Sequence, residues 1–195
     1  MMVMTARKDH LRERLTAAAV EVLATGGVDA LTARALAERA ETTTMAIYSR
    51  FGGMDAVLVA VLGEGFAMLA DQLNAVADTA NPRADVEEVC LAYRAFALES
   101  SALYTVMFDS GLRDAIAEAG SSPQEAFAHL HRRVARALPD TDPASVETAS
   151  FSTWALCHGL VSLERSGIGS KLRQRSASSV FRSAIDAHLR GCGAA

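Results

Sequence analysis

The chain predicts an all-α fold, and three observations carry that prediction. Half of its residues are hydrophobic with alanine abundant, only four prolines interrupt 195 residues, and apolar side chains recur every three or four positions without β-branched runs. A chain of this length buries a substantial core and has room for one or two small domains. Roughly nine helices with short loops account for nearly all of it, and no repeat or low-complexity tract appears.

The first helix is predicted from about Arg7 to Thr25, with Leu11, Leu15, Ala18, Ala19, Val22 and Leu23 as its inward stripe. Gly26-Gly27 supplies its stop, since glycine accepts the left-handed conformation. Thr32 reads as the N-cap of a second helix, with Leu31 and Leu36 placed as a hydrophobic staple. Val28, Leu31, Leu36, Ala37, Ile47 and Phe51 are the expected core of a three-helix domain. From Asp55 to about Thr79 the periodicity predicts one long helix through Val57, Leu58, Val61, Leu62, Phe66, Leu69, Leu73 and Val76, ended by Asn81-Pro82.

Further helices are expected at about 83–99, over the short apolar run Leu103–Phe108, and at 123–138 after a loop at 119–123. Two more are expected from Ala144 to Ser166, ended by Gly167 and Gly169, and over about 175–190. The division this suggests is residues 1–54 as one domain and 55–195 as a second.

The segment Thr43–Phe51 begins with hydroxyls and ends in Tyr48-x-x-Phe51, just after the compact amphipathic stretch Leu31–Ala40. Two short helices joined by a few residues, the second with polar residues at its exposed start, form a helix-turn-helix that places side chains in the DNA major groove. Residues 7–62 resemble the N-terminal domain of TetR-type repressors, one-component transcription regulators that respond to ligands. The resemblance lies in Ala40-x-x-Thr43-x-x-x-Ile47-Tyr48-x-x-Phe51 followed by Asp55-Ala56-Val57-Leu58, with Gly26-Gly27 and Leu31-Thr32 in place before it. Two positions depart from the family pattern. Glu41 stands where the turn commonly has glycine, which suggests a turn that tolerates a side chain, and Met54 replaces a lysine, removing one phosphate contact.

The resemblance implies a double-stranded DNA operator as partner. Thr32 and Thr43 are placed to add hydroxyl donors at helix starts, Tyr48 and Arg50 lie where family members contact phosphates, and Arg34 can reach a base or a phosphate. Thr44, Met45 and Ser49 are the candidates for base edges. Met45 and Ala46 offer no bidentate hydrogen bond, so readout rests on thymine methyls, water bridges and DNA shape. The bland alternative makes Thr43 a cap, Tyr48 a core-edge aromatic and Arg50 a solvated charge. The net charge of −4 by itself argues against a nucleic-acid partner, yet residues 1–50 hold seven basic and six acidic residues, with Arg7, Lys8, Arg12, Arg34 and Arg50 placed to face phosphate.

Trp154, His158, Gly159 and Leu163-Glu164 are similar to the C-terminal domain of a TetR subgroup named for its Trp-His-Gly motif, over roughly residues 83–190. That resemblance implies a homodimer through the last two helices. Their apolar surplus (Val146, Ala149, Thr153, Leu156, Leu160, Val161, Leu163, Val180, Phe181, Ile185) agrees with a two-fold pair. The aromatic middle of the chain suggests a pocket for a small, mainly apolar effector, lined by Tyr93, Phe96, Tyr104, Met107, Phe108, Phe127, Trp154 and His158. Equally, these residues are simply core, with His158 hydrogen-bonded to a neighbouring helix. Nearby charge is limited to Arg94, Glu99 and Glu164, and the helix from Asp55 would be the lever between ligand and DNA.

Repression with release by the effector is the family's usual mode. A helical carrier or adaptor with a degenerate helix-turn-helix is the alternative. An enzyme is not expected: no phosphate loop is present, and His129 and His131, two apart, point to different sides of a helix and are read as exposed. Cys90, Cys157 and Cys192 lack metal or disulfide spacing, so no cofactor and no metal are expected, and the first two read as small hydrophobes. No apolar run reaches the roughly 20 residues of a membrane span and no signal peptide is recognisable, so a soluble cytoplasmic protein with no membrane partner is expected.

Overall fold

A computed structural model describes residues 2–108, 122–168 and 176–193. Among the described residues lie nine α-helices, one 3-10 turn and no strand: α1 (Met2–Gly26), the 3-10 turn (Val28–Ala30), α2 (Ala33–Arg39), α3 (Thr44–Phe51), α4 (Met54–Asn74), α5 (Pro82–Glu99), α6 (Ser101–Met107), α7 (Ser122–Ala137), α8 (Pro143–Arg165) and α9 (Ala177–Gly191). The expected stop at Gly169 and most of the expected 119–123 loop fall outside the described residues.

The chain groups into two units, Met1–Ala67 with Ser100–Ser122, and Met68–Glu99 with Pro123–Ala195. This grouping does not follow a single cut at 54/55, because α6 packs on α1.

In the first unit the α1 stripe of Leu15, Ala18, Ala19, Val22 and Leu23 is buried together with Leu36, Ala37, Ile47 and Phe51. Two glycines stop α1 for different reasons. Gly27 takes φ 72°, while a Cβ on Gly26 would lie 2.4 Å from that of Ala30. The 3-10 turn leaves Val28 49% exposed, so it is not part of the core, and Leu31 is only half-buried beside a fully buried Leu36. Thr32 caps α2 by accepting the Ala35 N–H at 3.2 Å. Deeper in the same unit, α4 and α6 approach closely at Gly65, where a Cβ would fall 2.8 Å from Met107 Sδ and 3.1 Å from Leu103 Cδ1.

The turn between α2 and α3 corrects one expectation. Glu41 adopts φ 49°, the left-handed geometry that glycine usually supplies, so the turn keeps its shape and a side chain bears the strain. Thr42 N–H donates to Ala37 O at 2.9 Å, and Arg14 donates to Ala40 O at 2.9 Å from α1.

In the second unit the core comes from Leu69 and Leu73 of α4, Val86, Val89, Cys90, Tyr93 and Phe96 of α5, Leu130 and Val134 of α7, Cys157 and Val161 of α8, and Phe181, Ile185 and Leu189 of α9. Here α4 ends at Asn74 rather than near Thr79. The connector that replaces its last turn is held by α7: Arg133, 1% exposed, donates to Val76 O, and Arg136 donates to Thr79 O at 2.9 Å. Asp78 pairs with Arg132 and Arg136, each at 3.0 Å. Asp85, 2% exposed, accepts from Thr79 N–H at 2.9 Å, Thr79 Oγ1 at 2.6 Å and Arg136 at 3.0 Å. Burial pushes the Asp85 carboxyl up, but the hydrogen bonds from Thr79 and Arg136 outweigh it and hold the group below its ordinary range.

Several residues expected on a subunit interface are interior to their own chain: Val146, Ala149, Thr153, Val161, Phe181 and Ile185 are buried. Thr153 Oγ1 and Ser152 Oγ meet His188 Nε2 at 3.1 and 3.2 Å, joining α8 to α9. His131 Nδ1 lies 3.0 Å from Ser150 Oγ, joining α7 to α8, and both His131 and His129 are half-buried rather than exposed.

By length and mean hydropathy (1.6) alone α4 is apolar enough to cross a membrane. It is a core helix by its faces: Val57, Val61, Leu62, Phe66, Leu69 and Leu73 are buried, while Asp55, Glu64 and Asp71 are exposed.

Candidate functional site

The reading surface is set by how α3 is anchored. Thr43 lies in extended backbone and accepts the Ala46 N–H at 3.2 Å, which fixes the first turn, while Gly52 (φ 80°) closes the last one. Ile47 and Phe51 face inward and are buried. With that side fixed, a 100° step per residue turns Met45 and Ser49 to the opposite face, one turn apart, with Tyr48 beside them. Thr44, Met45, Tyr48 and Ser49 are all exposed, Met45 by 79% and Tyr48 by 52%. The caps Thr32 and Thr43 are exposed too, and since each hydroxyl oxygen accepts, its proton remains to donate to a phosphate oxygen.

The basic residues divide. Arg34 is exposed on α2. Arg50 is half-buried, and its Nε is buried without a hydrogen-bond partner among the described residues, so it presents its guanidinium less fully than the sequence suggested. Arg12 lies over the Phe51 ring at 4.4 Å and Arg39 pairs with Glu21 of α1, so neither is an uncommitted phosphate ligand. The side chains of Arg7 and Lys8 lie outside the described residues.

The expected pocket residues separate between the two units. Tyr93, Phe96, Phe127, Trp154 and His158 belong to the second, where Trp154 meets Tyr93 edge-on at 5.7 Å and Phe127 at 5.5 Å. Tyr104, Met107 and Phe108 belong to the first, where Phe108 packs on Tyr104 at 4.7 Å and on Phe66 at 5.8 Å. His158 Nδ1 lies 3.3 Å from Tyr93 Oη, the contact with a neighbouring helix weighed from sequence. Burial, with Arg165 adding to it, holds the imidazole below its ordinary range. Arg94 and Glu164 engage each other in a two-pronged pair, Nε to Oε2 at 2.7 Å.

Tyr93 and Trp154 line a cavity of about 10 Å³ with Leu73, Val89, Cys90, Leu130 and Cys157, space for roughly one water. Sequence reasoning read Cys90 and Cys157 as buried hydrophobes, which they are, but did not place them at this cavity. Its hydrogen bond with Cys157 and burial both push the Cys90 thiol well up. His131, stacked on Phe127 at 6.0 Å, was also missed; its spacing from Phe127, one helical turn, was the available signal.

Comparison with known proteins gives a consistent assignment. Residues 15–61 match the family described as bacterial regulatory proteins, tetR family, and residues 86–188 match the tetracyclin repressor-like C-terminal domain. No curated protein matches the chain. Among solved structures, a protein with unknown function from Rhodococcus sp. RHA1 is 27% identical with a TM-score of 0.77, over 93% of this chain and 94% of that one. The transcriptional regulator SCO7222, a TetR from Streptomyces coelicolor, is 23% identical with a TM-score of 0.73, covering 93% and 96%. BioQ, solved with its double-stranded DNA operator, is 24% identical with a TM-score of 0.64, covering 93% and 96%.

Proposed function

Because the chain belongs to the TetR family of bacterial transcription regulators, we propose that it is a cytoplasmic repressor that binds a palindromic operator as a homodimer and leaves it when a small, mainly apolar effector binds. The observation that carries the reading is α3: capped by Thr43, anchored by Ile47 and Phe51, and presenting Thr44, Met45, Tyr48 and Ser49 to solvent. Tyr48, with the Thr32 and Thr43 hydroxyls, Arg34 and Arg50, supplies the phosphate contacts.

Pairing is supported by α8. With its inner residues committed to the subunit core, Phe151 (69% exposed), Leu163, and the half-buried Leu156 and Leu160 remain outward, and open space lies beyond Gly159. Those residues, rather than Val146 or Thr153, form the proposed face. The effector cluster is Tyr93, Phe96, Phe127, Trp154 and His158, in the Trp-His-Gly manner. Because α4 contributes to both units, a ligand that favours one arrangement of α4 shifts operator affinity by its difference in affinity for the two states.

A shift assay on DNA flanking the coding region tests the reading. The complex should weaken steeply with salt, and Tyr48→Ala should reduce affinity by roughly tenfold, about 1.4 kcal/mol, without changing the melting temperature. Failure to bind any native fragment would leave the carrier alternative instead.

A further inference from the structure

We infer that Met45 reads a thymine methyl group in the major groove, so that each half-site is selected at one base by apolar contact rather than by a bidentate hydrogen bond. The inference rests on the DNA-binding reading above and specifies what that surface selects.

The surface is unusual for what it lacks. Met45 and Ser49 occupy the middle of the outward face of α3, and Thr44 and Tyr48 are exposed beside it. None of these side chains is an arginine, lysine, asparagine or glutamine, the residues that discriminate guanine or adenine through paired hydrogen bonds. The nearest basic residue in α3, Arg50, is half-buried. A serine or threonine hydroxyl donates or accepts, so it accepts either kind of base edge and discriminates weakly.

Met45 is the most exposed of the large apolar residues described, at 79%. The inner side of α3 already has its core residues in Ile47 and Phe51, so Met45 is not used by the fold. Of the groups that base pairs present in the major groove, the thymine C5-methyl is the apolar one. A thioether chain with three rotatable bonds adapts to such a contact. Burying one methyl against another apolar group corresponds to roughly fourfold in affinity per half-site and roughly fifteenfold for a symmetric site.

The test removes the methyl group alone. Operator fragments are first selected from random duplex DNA with the full-length protein, and each thymine is then replaced by uracil in both half-sites. Wild-type protein should lose roughly fourfold per half-site at one thymine position and little elsewhere. Met45→Ala should bind the thymine and uracil sites equally, while Met45→Leu should restore sensitivity to the methyl. Because Met45 is outside the core, both variants should melt like wild type, which keeps the comparison interpretable.

Indifference of the wild-type protein to uracil at every position would overturn the inference and leave DNA binding intact, as would unchanged uracil sensitivity in Met45→Ala. Recovery of no bound sequence removes the DNA-binding reading and this inference together.

Discussion

The two units hold their helices together by different means. In the first, Thr32 and Thr43 cap the helices they precede, the longer-range contacts of Arg14 with Ala40 O and of Arg39 with Glu21 come from exposed arginines, and the interior is almost wholly apolar. In the second, Asp85, Arg133, Ser150 and Thr153 are buried and tie together segments far apart in the chain, as when Arg136 reaches Asp85 and Arg133 reaches Val76. A local device requires only neighbouring residues to be correct, whereas a long-range one depends on the finished fold.

The sharpest challenge to this contrast is Asp85→Ala. Removing a buried carboxylate leaves Arg136 and two Thr79 donors short of a partner, and the expected loss is about 3 kcal/mol or more in urea unfolding. The same group should impose acid sensitivity. Its folded pKa lies below the unfolded value, so its stabilisation is fully present above the unfolded pKa and disappears as pH falls through the folded one. Asp85→Asn should therefore flatten the loss of stability on the acid side of about pH 4.

Gly65→Val probes packing in the first unit. Met107 Sδ, at 2.8 Å from the position of a Cβ, and Leu103 must both give way, and the expected cost is about 1–3 kcal/mol. Next, Thr43→Ala should lose about 1 kcal/mol in melting and weaken operator binding, because the cap also orients the reading face. Last, Glu41→Gly should gain about 0.5–1 kcal/mol by relieving a left-handed residue, with α3 unmoved. A loss in that variant would mean that the Glu41 side chain contributes more than its backbone strain removes.

The same contrast explains what could be read from sequence. Caps, the glycine stop of α1, and the exposed front of α3 were legible because their causes lie within a few residues of their effects. The end of α4 was not: Val76 continues the apolar period, and the arginine that draws its carbonyl out of the helix is 57 residues away. Val28 fits an apolar pattern but sits on a 3-10 turn that turns it outward. The apolar surplus of α8 and α9 was visible, yet periodicity alone does not separate the face used within a chain from one left for a partner. Likewise Tyr104 and Phe108 share the aromatic character of Tyr93 and Trp154, with Met107 as apolar, and only the packing of α6 on α1 assigns them elsewhere.

In the proposed effector response, the small hollow bordered by Trp154, Tyr93 and the two thiols would also bear on sensitivity. A guest larger than a water molecule must first push rings aside, so its apparent dissociation constant is its intrinsic one divided by the fraction of molecules already ajar. The threshold dose is thus written into the stiffness of the walls as much as into their chemistry. Trimming a wall residue that never touches the guest would retune the response.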